Sequence, residues 1–88
     1  FDRAKGAFII TTKSDAVCEK LSQTFENGIT MIDAKGYYSG SKKTMIYFVI
    51  NRFQVDKMKR LVHDIDPKAY ISINEIADVY SANSDDKN

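Results

Sequence analysis

The sequence predicts an α+β domain with the element order β-α-β-β-α-β. Four short stretches are rich in β-branched and aromatic residues, and two other stretches carry apolar residues at every third or fourth position. Glycine, asparagine and proline separate these stretches. This order of elements is that of the ferredoxin-like sandwich. Because its crossovers are right-handed, we expect an antiparallel four-stranded sheet with two helices on one face and nothing on the other.

The first half of the chain predicts a strand, a helix and a second strand. Residues 7–12 (AFIITT) have the composition of a strand, and Ser14 is expected to cap the helix that follows. Asn27-Gly28 is expected to end this helix, since glycine readily adopts the left-handed closing conformation. Residues 28–33 then predict the second strand. The buried side of the helix is marked by Val17, Leu21 and Phe25.

The second half repeats the pattern. Residues 44–51 form the most strongly predicted strand, and Asn51 with Gln54 matches a capping box at the start of a helix. Asp66-Pro67 is expected to end that helix, because the residue before a proline disfavours helical geometry. Residues 69–74 alternate between apolar and polar and predict the last strand. The buried side of this helix is expected to comprise Val55, Met58, Leu61, Val62 and Ile65.

Length and composition indicate one small domain at residues 6–80. Residues 1–5 are charged and are interpreted as the remnant of a linker, and the polar residues 81–88 as a disordered tail. Because the chain starts at Phe1 and not at methionine, we expect it to be part of a longer protein.

Composition also excludes several classes of protein. Thirteen Lys and Arg against twelve Asp and Glu give a net charge of +1, so no nucleic-acid partner is expected. The single cysteine forms no internal disulfide. The longest apolar run, residues 45–50, is far shorter than the ~20 residues of a membrane span.

The third predicted strand is apolar on both faces, whereas a strand with one wet face alternates between apolar and polar residues. One face carries Ile46, Phe48 and Ile50, and the other carries Met45, Tyr47 and Val49. We therefore predict that the second face is the interface of a homo-oligomer, a dimer or a trimer. The alternative is that the segment around Val79 and Tyr80 folds back over it.

The residues that most often carry chemistry do not form a catalytic set. His63, the single histidine, is expected near the end of the second helix without a nucleophile beside it. Cys18 is expected to act as a small apolar residue on the first helix. Asp64 and Asp66 are explained by the helix end and are too few for a metal site. The sequence predicts neither an enzyme nor a metal site.

The loop between the second and third strands is the predicted ligand site. Glycines let backbone amides approach an anion, lysines neutralise its charge, and tyrosine faces stack on rings. A nucleotide or another small anion is the expected ligand, although the same residue types are typical of a solvated hairpin. The expected ligand-binding residues are Gly36, Tyr37, Tyr38, Ser39, Gly40, Lys42 and Lys43.

Three segments carry a resemblance to a known family: residues 28–32 (GITMI), 36–40 (GYYSG) and 64–73 (DIDPKAYISI). In that order and spacing they resemble the cytosolic C-terminal domain of YitT-type bacterial membrane proteins, over roughly residues 6–80. The chain departs from the family pattern in two places. Ser39 replaces a threonine, and the usual Gly-Glu-Gly-Phe ending is absent after Val79.

The resemblance implies a domain attached to an N-terminal transmembrane domain, at the cytoplasmic face of the bacterial plasma membrane. Its fold is similar to that of PII-like and ACT-like domains, which oligomerise and bind small effectors. The resulting hypothesis is a non-catalytic regulatory or sensor domain that oligomerises through its open sheet face and binds an anionic effector at residues 36–43. The alternative is an oligomerisation module that binds no ligand.

Overall fold

The structure, a computed structural model, describes residues 4–80 and confirms the ferredoxin-like fold. The sheet has the order β2-β3-β1-β4, and every neighbouring pair is antiparallel, so β1 and β3 are central. The strands are β1 (Ala4–Thr11), β2 (Thr30–Lys35), β3 (Lys42–Asn51) and β4 (Tyr70–Glu75). The helices are α1 (Ser14–Thr24) and α2 (Val55–Ile65). The predicted tail at residues 81–88 lies outside the described residues.

The core lies between one face of the sheet and the two helices. Along β1 and β3, every second side chain is buried there: Ala7, Ile9, Ile46, Phe48 and Ile50. The helices contribute Val17, Leu21, Met58 and Val62 from the apolar stripes that the sequence predicts. Phe25, just after α1, is also buried, and its ring centroid lies 6.5 Å from that of Phe48.

Both ends of α1 differ from the prediction. Ser14 is the first residue of the helix and Lys13 precedes it, without a side-chain cap. The helix ends at Thr24 because Phe25 takes an extended conformation that carries its ring into the core. Gly28 therefore does not close the helix. Asn27 instead donates a side-chain hydrogen bond to the carbonyl of Val49 on β3.

The strand boundaries shift because pairing partners extend them. β1 begins at Ala4, which pairs with Asn51, so the last two residues of the predicted linker belong to the sheet and its first three are not described. β3 begins at Lys42, which pairs with Lys35. β4 begins at Tyr70, which pairs with Ile10, because the Ala69 amide donates to the carbonyl of Asp66 in the preceding turn.

The predicted capping box at Asn51 is confirmed. The Asn51 side chain accepts a hydrogen bond from the Phe53 amide at 2.9 Å, and Gln54 Oε1 accepts one from the Asn51 amide at 3.1 Å. The box opens a single 3-10 turn at Arg52–Gln54 that leads into α2. At the other end, α2 stops before Asp66-Pro67 as predicted.

Candidate functional site

The predicted ligand loop is a tight hairpin turn that closes on itself. The Gly36 amide donates to the carbonyl of Ser41 at 3.0 Å, and the Gly40 amide donates to the carbonyl of Gly36 at 2.9 Å. The Ser41 amide donates to Ser39 Oγ at 3.2 Å, and the two serine hydroxyls lie 2.8 Å apart. Gly40 has φ 68°, which explains the glycine at that position. The amides of both glycines are therefore occupied and do not form an anion cradle.

The two tyrosines of the turn point into solvent. Tyr37 is 90% exposed and Tyr38 is 98% exposed. Their ring centroids are 5.1 Å apart with an interplanar angle of 79°, an edge-to-face pair. They form the tip of the hairpin and do not line a pocket.

The side chains of Lys42 and Lys43, the two lysines that follow the turn, point to opposite faces of the sheet. Both belong to β3, where successive side chains point to opposite faces of the sheet. Lys42 pairs across the strands with Lys35 on the helix-covered face, and Lys43 pairs with Ala34 on the open face. The structure thus brings Lys42 together with Lys35, a residue that sequence reasoning did not single out.

Lys35 and Lys42 border a groove of about 660 Å³ between the hairpin and the start of α1. Hydroxyl-bearing residues from the other side, including Thr12 and Ser14, complete it. Within residues 4–80, the ion pairs are Lys5 with Glu75 and Lys59 with Asp56, so Lys35, Lys42 and Lys43 form no ion pair there, although Asp33 also lines the groove. The full lining is Thr11, Thr12, Ser14, Asp33, Ala34, Lys35, Lys42, Lys43 and Thr44. We refer to it as the basic groove.

The predicted interface residues Met45, Tyr47 and Val49 are partly exposed on the face of β3 away from the helices. Phe8 and Ile10 of β1 share this face, and the rings of Phe8 and Tyr47 lie 4.8 Å apart. One cross-strand row runs through all four strands: Tyr70, Ile10, Met45 and Ile32. These apolar side chains define the open face of the sheet.

The C-terminal segment does not cover the open face as the alternative required. Val79 is 41% exposed and Tyr80 is 90% exposed. Ile76 reaches over one corner instead, where its Cδ1 lies 3.3 Å from the position of a Cβ on Gly6. The apolar side chains of β1 and β3 on this face stay partly exposed: Phe8, Ile10, Met45, Tyr47 and Val49.

The isolated reactive residues have structural roles. Cys18 packs against the core, and burial, followed by the charge of Asp15, raises the pKa of its thiol. His63 lies in the last turn of α2 with its Nε2 3.1 Å from the carbonyl of Ala69. No cluster of three or more metal-ligating side chains occurs between residues 4 and 80.

Asp66 has a role that sequence reasoning missed. Its carboxylate accepts hydrogen bonds from the Thr11 hydroxyl at 2.6 Å and from the Lys68 amide at 3.0 Å. The Thr11 bond is the main reason that the pKa of Asp66 is lowered. Asp66 therefore joins the end of β1 to the turn before β4, a contact between distant residues that no local pattern reveals.

Residues 27–81 match the family described as "Uncharacterized protein conserved in bacteria (DUF2179)". The chain belongs to this family. Among curated proteins, it is similar to the UPF0750 membrane protein YxkD of Bacillus subtilis, with 26% identity over 86% of this chain. It is also 31% identical, over 84% of this chain, to the UPF0750 membrane protein YitT of the same organism. It spans about a quarter of these relatives, 27% and 26% respectively.

A solved DUF2179 structure from Eubacterium ventriosum has the same fold. It superposes with a TM-score of 0.70 at 23% identity and covers 83% of this chain and 100% of the solved one. The resemblance to YitT-type proteins is therefore confirmed, as is the fold. Neither the family description nor the names of these relatives indicates a catalytic activity. No helix within residues 4–80 is long and apolar enough to cross a membrane.

Proposed function

We propose that this DUF2179 domain is a non-catalytic regulatory domain that acts by self-association through the open face of its sheet. The observation that carries the proposal is the uninterrupted apolar row across all four strands, from Tyr70 to Ile32. The neighbouring row, which contains Phe8 and Tyr47, also carries no charged side chain. A second copy can cover these two rows without burying a charge, because Lys43, the lysine of the open face, lies one row beyond them near the hairpin.

The size of the open face sets the expected strength of association. The area of the face is roughly 400 Å² per copy. Its width is that of four strands about 4.8 Å apart, and its length is that of six residues rising about 3.4 Å each. A stable interface of standard size buries about 800 Å² per partner, so an isolated pair should be weak. Attachment to a membrane protein raises the effective concentration of the domain, and a weak contact then suffices for regulation.

The test is sedimentation equilibrium of the 88-residue chain up to about 1 mM, where weak dimers of this size should form. Tyr47→Asp places a charge in the centre of the face and should abolish association while leaving the circular dichroism spectrum unchanged. Tyr37→Asp introduces the same charge on the hairpin tip and should associate like the wild type. A wild-type chain that stays monomeric, or a Tyr47→Asp variant that still associates, would exclude this interface.

A second candidate function is binding of an anionic effector in the basic groove. Lys35 lies directly opposite Lys42, an unfavourable arrangement for like charges, and with Lys43 they outnumber Asp33, the acidic residue of the lining, three to one. The hydroxyls of Thr12 and Ser14 border the same groove and can donate to phosphate oxygens. This groove replaces the glycine amides of residues 36 and 40 as the expected anion site, because those amides are bonded within the turn.

Titration with inorganic phosphate and with ATP, followed by NMR chemical shifts, tests this second function. We expect the largest shifts at Thr12, Ser14 and Lys42. Lys35→Ala combined with Lys42→Ala should remove them, whereas Lys57→Ala on the exposed side of α2 should not. If neither ligand shifts these residues while association persists, the ligand-free oligomerisation module is the correct alternative.

A further inference from the structure

The tip of the β2–β3 hairpin exposes more aromatic surface than a solvated turn requires. Tyr37 and Tyr38 are 90% and 98% exposed and pack against each other alone. Neither ring contributes to the core or lines the basic groove. Tyrosine combines an apolar ring with a polar hydroxyl, which is why it is enriched where one side is apolar and the other wet.

Positive charge surrounds the two rings. Lys35, Lys42 and Lys43 are the charged residues between positions 34 and 43, which contain no aspartate or glutamate. The whole chain carries a net charge of +1, so the remainder of the molecule is net negative. Residues 34–43 therefore carry a net charge of +3, whereas the rest of the chain carries −2.

The tip is a preformed structure. Its backbone hydrogen bonds hold the turn, and Lys35 and Lys42 pair at its base. The rings and lysines consequently keep their arrangement before any partner binds, which reduces the entropy cost of docking.

We propose that this hairpin tip docks on an anionic lipid bilayer, with Tyr37 and Tyr38 at the level of the headgroups and the three lysines against lipid phosphates. Tyrosines at membrane interfaces and lysines near anionic leaflets are the two chemistries that such a surface recognises. The curated relatives of this chain are named as membrane proteins, so a bilayer is within reach of a domain attached in the same way.

Docking at the tip is compatible with self-association. The tip extends from the end of the sheet along the strand direction, whereas side chains of the open face project perpendicular to the sheet. The two surfaces therefore face different directions, and both can be occupied at once. The inference does not depend on the proposed self-association. It shares Lys35, Lys42 and Lys43 with the basic groove, and the tyrosines separate bilayer docking from binding of a free anion.

The chain contains no tryptophan, so a single tryptophan can report the docking depth. Tyr38→Trp should be quenched by brominated phosphatidylcholine in vesicles that contain phosphatidylserine, and much less in vesicles without it. Phe53→Trp is the matched control, because Phe53 is 79% exposed just beyond the opposite end of β3. It should not be quenched.

Co-sedimentation with the same vesicles separates the contributions of the lysines, the tyrosines and the open face to vesicle binding. Removing one lysine by Lys43→Gln should weaken binding about five-fold, as expected for one charge near an anionic surface. The double variant Tyr37→Ser/Tyr38→Ser should weaken vesicle binding but leave shifts with inorganic phosphate unchanged. Tyr47→Asp should bind vesicles normally even if it no longer associates.

Raising the salt from about 0.1 M to about 1 M should release the wild type, because the screening length falls from about 10 Å to about 3 Å. Absence of vesicle binding, equal binding to neutral and anionic vesicles, or equal quenching of the two tryptophan variants would each overturn the proposal. Wild-type vesicle binding by the double serine variant would remove both tyrosines from the contact and overturn the proposed docking of the hairpin tip.

Discussion

The hydroxyl of Thr11, the last residue of β1, donates a 2.6 Å hydrogen bond to Oδ2 of Asp66, the residue that follows α2. Both residues are buried, with 3% and 6% of their surfaces exposed. The Thr11 oxygen also accepts the Lys13 amide at 3.0 Å, which orients the hydroxyl towards the carboxylate. One pair of side chains thus connects the start of α1, the end of β1 and the turn into β4.

This pair predicts how stability depends on pH. The pKa of Asp66 is lowered in the folded state, chiefly by the Thr11 hydroxyl, then by the Lys68 amide and the charge of Lys13. A lowered pKa stabilises the fold above the unfolded value of about 3.9, and this contribution is lost as pH falls through the folded pKa. Thr11→Val should lower Tm at pH 7 and make the loss of stability on acidification shallower.

Thermal unfolding followed by circular dichroism at pH 7 and under acidic conditions measures both effects. Thr12→Val is the matched control, because Thr12 is exposed and bonds to Asp66 through its backbone amide, which valine retains. If Thr11→Val shows the same acid dependence as the wild type, the Thr11 hydroxyl is not what lowers the pKa of Asp66.

The hairpin turn predicts a stability difference between substitutions of Gly40. Its φ of 68° lies in the left-handed region, where a side chain costs about 1–2 kcal/mol. Gly40→Ala should lower Tm by several degrees, since 1 kcal/mol corresponds to about 4–8 °C in a domain of this size. Gly40→Asn should lose less, because asparagine tolerates this conformation. Equal losses in the two variants would contradict the assignment.

The two faces of β3 predict different consequences for substitutions at Phe48 and Met45, three residues apart on the strand. Phe48→Ala empties a buried site and should cost about 3–5 kcal/mol of unfolding free energy. A domain of 88 residues has a total of roughly 4–13 kcal/mol, so this variant is close to unfolding. Met45→Ala on the open face should cost much less and should weaken self-association instead. Urea unfolding and sedimentation distinguish the two outcomes.

The reactivity of Cys18 follows from its surroundings. Burial raises the pKa of the thiol, and the nearby charge of Asp15 raises it further, so little thiolate is present near neutral pH. Ellman's reagent should therefore react more slowly with the folded chain than with the chain in urea. Asp15→Asn should speed the reaction of the folded chain modestly, whereas Glu19→Gln should not. A fast reaction of the folded wild type would indicate an activated thiol.

Local sequence patterns predicted most of the fold because they act over a few residues. The strand compositions, the apolar stripes of both helices and the Asn51–Gln54 capping box all depend on neighbours within one or two turns. The prediction for the C-terminal end of α1 is wrong because Phe25 leaves the helix to pack in the core, and that contact depends on β3. Strand ends shifted for the same reason, since a partner strand supplies their hydrogen bonds.

The candidate sites likewise have some features that the sequence predicts and others that depend on the tertiary structure. The alternation of β3 was enough to predict that Met45, Tyr47 and Val49 share the face away from the helices, because side-chain direction in a strand follows from position alone. The grouping of Lys42 with Lys35, the closure of the glycine amides within the turn and the Thr11–Asp66 bond required the tertiary structure. Each of these three features brings together residues through strand register or through a hydrogen bond between separate parts of the chain. Strand register is set by the packing of the whole sheet, so local sequence patterns do not determine it.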